Sequence, residues 1–272
     1  MSSHETSTKP IRQAYVRENG KLAMFMRTAD SNFWEEHWGN LSDEQLRHVL
    51  RPTRRVSPMV GQLLKLLPKD GPILEAGCGT RIYVRRLTNR GYSTIGLDFA
   101  TETLKRSLDV CPELTLVAGD VFQLPFSDDS LSGYVSLGVV EHFPGGPGEI
   151  LKEAVRVLRP GGVACVSVPY TNPMRDKMET VSEETAKRIG LVFYQYYFTQ
   201  RDFEAELRAS GLHPTGKFIG GNVYSGLRAR SASFRKVARM MPLKPYWQRA
   251  LEMIPGLPVR AGHMMCLVAE KR

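Results

Sequence analysis

The residues Glu75-Ala76-Gly77-Cys78-Gly79 have the types and the spacing of a ligand-binding turn. Two glycines one residue apart let the backbone turn tightly and let ligand atoms approach the main chain. Turns that bind dinucleotides need a third glycine three residues later, where this chain has Ile82, so NAD and FAD are disfavoured. A phosphate would also be repelled by Glu75. The pattern therefore favours a ligand that carries a cation.

Two further acidic residues follow the turn at informative distances. A carboxylate about twenty residues after a glycine turn can accept hydrogen bonds from both hydroxyls of a ribose, and Asp98 has this spacing. Phe99 is then placed to pack on an adenine ring. Asp120 can accept a hydrogen bond from an adenine amino group, with Val121 donating through its backbone. The alternatives are a helix cap for Asp98 and an ordinary Gly-Asp turn at Asp120.

Strands and helices alternate around these residues. Apolar stretches between turn signals predict strands, and apolar residues at helical spacing predict helices. The predicted strands are 72–76, 94–98, 114–118, 131–137, 163–168, 213–219 and 263–269, and the predicted helices are 82–90, 101–110, 148–158 and 199–210. Such alternation predicts βαβ units with a parallel sheet and helices on both faces.

The carboxyl ends of parallel strands lie at one edge of a sheet, where open α/β folds bind ligands. The glycine turn, Asp98 and Asp120 each follow a predicted strand, so we expect them to meet there. S-adenosylmethionine has an ammonium group, a sulfonium, a ribose and an adenine, and it has no phosphate. It therefore fits the three loops together.

These residues, together with Arg159-Pro160-Gly161-Gly162, resemble the class I S-adenosylmethionine-dependent methyltransferase family, and within it the large bacterial group acting on small molecules. The resemblance covers about 56–212 and 264–269. It implies an α/β, Rossmann-like, doubly wound sheet of seven strands, mostly parallel, with an antiparallel last strand. It also implies an enzyme with S-adenosyl-L-methionine as cofactor. The predicted cofactor-binding residues are Glu75, Gly77, Cys78, Gly79, Asp98, Phe99, Asp120, Val121 and, through backbone groups at the methionine end, Leu137 and Gly138.

Arg81 departs from the family pattern, which has a third glycine at this position. One interpretation is that its side chain points outward and the loop adjusts slightly. Another is that Arg81 turns toward the pocket and meets a carboxylate of the cofactor or the substrate. A third is that it weakens cofactor binding.

Methyl transfer from a sulfonium needs alignment and exclusion of water, and it needs a base only if the acceptor must lose a proton early. His142 follows the strand 131–137 and is one candidate for that base; the alternative is a structural role near the cofactor. His37, between Trp34 and Trp38, is a second candidate if the N-terminal segment folds over the site. Tyr194, Tyr196 and Tyr197 form an aromatic cluster that could line the acceptor pocket or belong to the core.

The chain is divided by pattern into an N-terminal helical cap segment, 1–55, and a methyltransferase domain, 56–272. The net charge of +9 is concentrated in a helical insertion at 222–260. Between Asn222 and Gly262, eight basic residues and the single acid Glu252 leave a net charge of +7. We interpret the insertion first as a lid over the substrate. A peripheral membrane contact through 225–254 is the second interpretation, and a plain solvated face is the third.

The expected acceptor is a small or lipid-like molecule. Nucleic acid is disfavoured, because the strand 131–137 is not followed by the Asn/Asp-Pro-Pro-aromatic motif typical of enzymes that methylate base amino groups. A non-catalytic protein that binds the cofactor is the remaining alternative. The four scattered cysteines predict neither a zinc site nor disulfides. The absence of a signal peptide or long apolar run predicts a cytoplasmic protein. The oligomeric state stays open.

Overall fold

A computed structural model describes residues 12–18, 20–27, 40–51, 58–173, 175–230, 232–240 and 244–272. The described residues form a seven-stranded sheet and a separate three-stranded sheet. The strands are β1 (Gln13–Glu18), β2 (Lys21–Met26), β3 (Ile73–Ala76), β4 (Thr94–Asp98), β5 (Thr115–Ala118), β6 (Leu131–Leu137), β7 (Leu158–Pro169), β8 (Val192–Tyr197), β9 (Leu212–Gly221) and β10 (Met264–Lys271).

The large sheet has the order β5-β4-β3-β6-β7-β10-β9. The four adjacent pairs from β5 through β4, β3 and β6 to β7 are parallel, and β10 is antiparallel to both β7 and β9. The predicted fold class is therefore confirmed. Since β3 lies at the centre of the parallel part, the turn that follows it is flanked by the ends of β4 and β6.

Helices cover both faces of this sheet. The α-helices are α1 (Asp43–Val49), α2 (Pro58–Leu63), α3 (Ile82–Thr88), α4 (Thr101–Val110), α5 (Gly148–Val157), α6 (Glu183–Arg188), α7 (Gln200–Ala209), α8 (Val223–Arg230), α9 (Ala232–Met240), α10 (Lys244–Met253) and α11 (Leu257–Ala261). Alternate strand residues pack into different clusters because successive side chains of a strand point to opposite faces. Leu74 lies in the cluster with α5 and α7, whereas Ile73 lies in the cluster with α2.

Strand β7 begins earlier than the sequence predicts. It includes Arg159-Pro160-Gly161-Gly162, which lie before the predicted strand 163–168. Its register against β6 shifts between Leu131 and Gly133, so the extra residues form an irregularity in the ladder. Gly161 has a φ of 75°, which a residue with a side chain rarely adopts.

The prediction of helices for residues 1–55 is wrong where β1 and β2 form a hairpin. Strands β1 and β2 are antiparallel, and β2 pairs with β8 to give a three-stranded sheet. Tyr15 and Met24 belong to a cluster on one face, whereas Val16 and Phe25 belong to a cluster on the other. This two-residue alternation produces a strand buried on both faces rather than a helix. Helix α1 does agree with the prediction, and the domain boundary at residue 55 stays a prediction.

Helices α8 to α11 lie between β9 and β10, in the predicted insertion. Gly221 ends β9 and Met264 begins β10, and these two residues pair with each other. Met264 also pairs with Pro169, at the carboxyl end of β7. The insertion therefore leaves the sheet at the edge where the parallel strands end. Among the described residues, no helix is long and apolar enough to cross a bilayer.

The close packing of α8 on α11 gives a first prediction. A Cβ atom at Gly226 would overlap the backbone carbonyl oxygen of Ala261. We expect Gly226→Ala to lower the free energy of unfolding by about 1–3 kcal/mol, because the backbones must move apart. Thermal unfolding measures this. Gly61→Ala is the control, because a Cβ there meets nothing within 4 Å; an equal effect of both substitutions would contradict the explanation.

Candidate active site

The carboxyl ends of β3, β4, β5 and β6 meet through direct contacts. Gly79 donates its backbone N–H to the Asp98 carboxylate, joining the ends of β3 and β4 at 2.8 Å. The N–H of Gly119 donates to the carbonyl of Asp98 at 3.1 Å and joins β4 to β5. A Cβ atom on Gly77 would lie 2.5 Å from Cγ2 of Val139, which follows β6. The loops that the sequence analysis selected are therefore brought together at one edge.

The turn after β3 requires its glycines. Gly77 has a φ of 73° and Gly79 a φ of 45°, in the region that favours glycine. The N–H groups of Gly77 and Cys78 both donate to the carbonyl of Leu97 on β4. The Cys78 side chain is buried against Gly96, and burial raises the pKa of its thiol well above the usual value. Cys78 is thus a packing residue of the turn rather than a nucleophile.

Asp98 organises the turn as well as ending β4. One oxygen of its carboxylate accepts from Gly79 N, and the other accepts from Ala100 N at 3.1 Å. The side chain is buried, with 4% of the residue exposed. An ionised carboxylate has about four acceptor sites, so these two hydrogen bonds leave acceptor capacity for hydroxyl groups. The predicted contact with a ribose is compatible with this arrangement.

Glu75 is a buried acid with an incomplete set of partners. It is 2% exposed, and its Oε2 atom has no hydrogen-bond partner among the described residues. Burial raises the pKa of Glu75 to about 8. The backbone at Val84 and the charge of Arg81 favour the ionised form, whereas Asp98 opposes it. A buried acceptor beside a glycine turn suits a ligand with an ammonium group, so Glu75 fits the predicted cofactor.

The Arg81 side chain points inward. The interpretation that it points outward is therefore wrong. The residue is fully buried, and none of its three side-chain nitrogens has a hydrogen-bond partner among the described residues. It precedes α3 with φ 58° and ψ 12°, the left-handed conformation that the usual glycine adopts easily. Burial lowers the pKa of its guanidinium, and the nearby Cys78, Asp98 and Glu75 oppose this shift. Arg81 thus adds a cation to the glycine turn.

The residues expected at the adenine end are at the same edge. Phe99 is 46% exposed beside Asp98, as a ring that packs on a ligand would be. One oxygen of the Asp120 carboxylate accepts from the N–H of Phe122, as in an ordinary Gly-Asp turn. The carboxylate has further acceptor sites, so it could also accept from an adenine amino group. Val121 is buried in the core below.

The methionine end is predicted at Leu137 and Gly138, the end of β6. Gly138 has a φ of 76°, and its N–H already donates to the carbonyl of Ser167. The Glu141 carboxylate and the Met264 methyl group lie 3.6 and 3.9 Å from the position of a Cβ at Gly138. Neither side chain was predicted from the sequence. Glu141 precedes the candidate His142 in the chain, and Met264 follows His263 at the start of β10.

His142 is nearly enclosed, and its Nδ1–H donates to the carbonyl of Tyr194 at 2.9 Å. Burial lowers the pKa of His142 to about 4, so it is neutral and a weak base. Its ring contacts the ring of Tyr194 edge to face. These contacts favour the structural role over the base. His37 lies outside the described residues.

The three-stranded sheet lies over the carboxyl edge on the side of β7 and β10. Of the predicted aromatic cluster, Tyr194 contacts His142, and the Tyr197 ring lies 4.5 Å from the Arg175 guanidinium. Arg175 is 1% exposed and donates to the carbonyl of Tyr170 and to His263. Arg175 could not be predicted from the sequence, because nothing local in 170–180 marks a buried arginine.

Glu141 gives a prediction about pH. It is 1% exposed, and burial raises its pKa from 4.5 to about 8. Between pH 4.5 and about 8 the folded protein keeps this proton while the unfolded chain releases it, so stability is lost as the pH rises through that window. We expect Glu141→Gln to raise the melting temperature at the upper end of the window and to change it little at the lower end.

Thermal unfolding across the window measures the Glu141 effect. Glu75 contributes a loss of the same sign, so the slope should fall without vanishing. Glu149→Gln is the control, since Glu149 is exposed and pairs with Lys152 on the surface. A pH slope that is identical in wild type and Glu141→Gln would contradict the assignment.

The sequence of the central segment matches one described family. Residues 74–166 match a family described as "Methyltransferase domain". They contain the glycine turn, Asp98, Asp120 and β6. Residues 74–166 form a methyltransferase domain. With the fold, this identifies the domain as one of the class I S-adenosylmethionine-dependent methyltransferases and confirms the predicted enzyme class and cofactor for it.

Relatives of known name match about half of the chain. The 2-methyl-6-phytyl-1,4-hydroquinone methyltransferase 2 of Oryza sativa subsp. japonica is 44% identical over 139 residues, 45% of this chain and 37% of that protein. The tRNA (carboxymethyluridine(34)-5-O)-methyltransferase alkbh8 of Xenopus tropicalis is 32% identical over 142 residues, 51% of this chain and 22% of that protein. Each match thus covers well under half the length of the relative.

A solved structure shares the fold over nearly all of both chains. The 1,6-didemethyltoxoflavin-N1-methyltransferase of Burkholderia thailandensis, solved with its substrate and S-adenosylhomocysteine, has a TM-score of 0.54 and 15% identity. The likeness covers 96% of this chain and 99% of that chain. The named relatives of the methyltransferase domain act on different acceptors, a hydroquinone and a tRNA, so they leave the acceptor of this chain open.

Proposed function

We propose that this chain transfers a methyl group from S-adenosylmethionine to a small or lipid-like acceptor. The observation that best supports binding of this cofactor is the position of the Asp98 carboxylate. It joins the glycine turn to the end of β4 and still has acceptor sites for the ribose hydroxyls. Glu75 and Arg81 add a buried carboxyl group and a buried guanidinium beside it. A hydrogen-bond acceptor and a cation suit the amino and carboxylate groups of a methionine.

The residues would hold the cofactor along the edge of the sheet. Asp98 would accept from the ribose, Phe99 would pack on the adenine, and Asp120 with the backbone of Val121 would meet its polar edge. The glycine turn and Gly138 would lie against the methionine end. S-adenosylmethionine supplies an activated methyl group: an acceptor atom forms a bond to its carbon while the carbon–sulfur bond breaks, and sulfur keeps the electron pair.

The protein's part in this transfer is to place the acceptor and exclude water. The three-stranded sheet suits this role, because the face with Leu22, Met24 and Tyr197 is apolar and buried. Tyr194 reaches His142 from the same strand. The apolar residues of this face favour a small or lipid-like acceptor over a polar polymer. With a pKa near 4, His142 positions Tyr194 rather than removing a proton.

RNA methylation is the second candidate function. The relative named as a tRNA methyltransferase and the basic insertion both favour it. A protein that binds the cofactor without transferring the methyl group is the third, and the unusual Arg81 favours that.

Release of S-adenosylhomocysteine from the purified chain tests these candidates. The acceptor panel consists of alkylated hydroquinones, phenols, small carboxylic acids and bulk tRNA, with the Asp98→Ala variant as the inactive control. We expect release with a member of the small-molecule or hydroquinone set. Methyl incorporation into tRNA alone would overturn the proposal in favour of RNA. Tight cofactor binding without release on any acceptor would favour the non-catalytic protein.

A further inference from the structure

The helical insertion exposes large apolar side chains. Met253 is 70% exposed, Tyr246 63% and Ile254 48%, and Trp247, Val237 and Val259 are exposed to a similar degree. Single exposed apolar residues are common on proteins, but a concentration in one short segment marks an interaction surface. We call the described residues Tyr246, Trp247, Met253, Ile254 and Val259 the apolar patch. It lies on α10, on α11 and in the turn between them.

The order of residues on α10 shows that this exposure is systematic. Tyr246, Arg249, Ala250 and Met253 follow the spacing i, i+3, i+4, i+7, so they lie on one face of the helix. All four are exposed. Glu252, on the other side, is 9% exposed and accepts from the N–H of Asn222. The helix therefore turns its acid inward and presents a tyrosine, an arginine and a methionine outward.

The described exposed charges of the insertion have one sign. Glu252 is the single acid between Asn222 and Gly262, and it is buried. The charged side chains of this segment that the structure describes as exposed are all basic: Arg228, Arg235, Lys236, Arg249 and Arg260. We call these five residues the basic rim. An apolar patch that shares its segment with exposed cations is complementary to an apolar layer covered by anions.

A groove with a mixed polar and apolar lining lies beside the patch. It has a volume of about 210 Å³ and lies between β9 and the turn that joins α10 to α11. Its lining includes Ile254 and Val259 from the insertion together with the polar Gln62 and Glu252. The exposed Met253 also lines it, so the patch borders this groove.

We propose that this chain docks on an anionic phospholipid surface through the apolar patch and its basic rim. Met253 and Ile254 enter the layer between the headgroups, Tyr246 and Trp247 lie at the headgroup level, and Arg249 and Arg260 meet the phosphates. The insertion leaves the large sheet at the edge that carries the glycine turn, so the docked protein faces the membrane with that edge. The proposal goes beyond the methyltransferase reaction and does not rest on it.

The apolar patch decides between a membrane and RNA as the anionic partner. Arginines and aromatic rings can contact either, because nucleic acids offer phosphates and stacking bases. Exposed methionine, isoleucine and valine contribute nothing to phosphate binding and lose contact with water only in an apolar layer. The composition of the patch therefore favours the phospholipid surface.

Sedimentation of the full chain with vesicles tests the docking. We expect binding to phosphatidylcholine vesicles that contain phosphatidylglycerol, weak binding to phosphatidylcholine alone, and a loss of binding as salt is raised. The double variant Met253→Ser/Ile254→Ser should lower the partition coefficient by about tenfold or more, since two apolar side chains no longer enter the layer. Binding should also shift tryptophan emission to the blue, and Trp247→Phe should remove most of that shift.

Val192→Ser is the matched control, because Val192 is as exposed as Ile254, at 48%, and lies on β8. Unchanged binding by the double variant, or an equal loss in Val192→Ser, would overturn the proposal. Binding to bulk tRNA with none to either kind of vesicle would overturn it too and would assign the basic rim to RNA. Binding of S-adenosylhomocysteine should be the same in all these variants, which keeps the docking separate from the cofactor site.

Discussion

Replacing Arg81 with glycine is expected to lower the affinity for S-adenosylhomocysteine by about tenfold or more, equivalent to about 1.4 kcal/mol. A fully buried guanidinium whose nitrogens lack partners beside the glycine turn is available to the carboxylate of the cofactor. The substitution restores the glycine of the related domains and so removes this cation. Isothermal titration of the purified variant measures the effect.

The same variant should not lose stability. The left-handed backbone conformation costs a residue with a side chain about 1–2 kcal/mol, and glycine avoids this cost. The substitution also removes a buried guanidinium that makes no hydrogen bonds among the described residues. Glu75 does not then need a cation, because its pKa of about 8 keeps it protonated at neutral pH. Arg90→Gly, exposed just after α3, is the control. Unchanged affinity for S-adenosylhomocysteine in Arg81→Gly would show that Arg81 serves packing alone.

Replacing Asp98 with alanine should be the most damaging single change at the cofactor site. We expect the affinity for S-adenosylhomocysteine to fall by about a hundredfold, or about 2.8 kcal/mol. The change removes the predicted acceptor of the ribose hydroxyls and also the two hydrogen bonds that hold Gly79 and Ala100. Hydrogen bonds to charged groups contribute about 1.5–3 kcal/mol each.

A second substitution separates the two roles of Asp98. Asp98→Asn keeps one acceptor oxygen and nearly the same shape, so it should recover much of the melting temperature and little of the affinity. Asp109→Ala, exposed on α4, is the control for the loss of a carboxylate. If Asp98→Asn binds S-adenosylhomocysteine as the wild type does, Asp98 caps the loop and α4 only, which was the alternative weighed at the outset.

Strands β3 to β6 of the large sheet could be predicted from sequence almost to the residue. Strands β4 and β6 and helix α4 have the predicted bounds. The two strands end where apolar residues give way to a charged residue or a glycine, at Asp98 and at Gly138 after Leu137. Because parallel strands end at one edge by geometry, finding the strands also placed the glycine turn, Asp98 and Asp120 together.

The remainder depended on contacts between distant residues. The hairpin of β1 and β2 becomes a sheet only by pairing with β8, whose partners lie more than 160 residues away. The burial of Arg81 and Arg175 likewise depends on what covers them, and charge predicts an exposed side chain in the absence of that information. The helical segments of the insertion were visible in the sequence, whereas the inward turn of Glu252 was not.

The three-stranded sheet joins residues 13–26 to residues 192–197 in one unit. Strand β2 stands between β1 and β8. A chain cleaved after the hairpin would leave one edge of β8 without a partner. Such an edge is a template for pairing with other chains. Cleaved forms of this protein are therefore candidates for self-association.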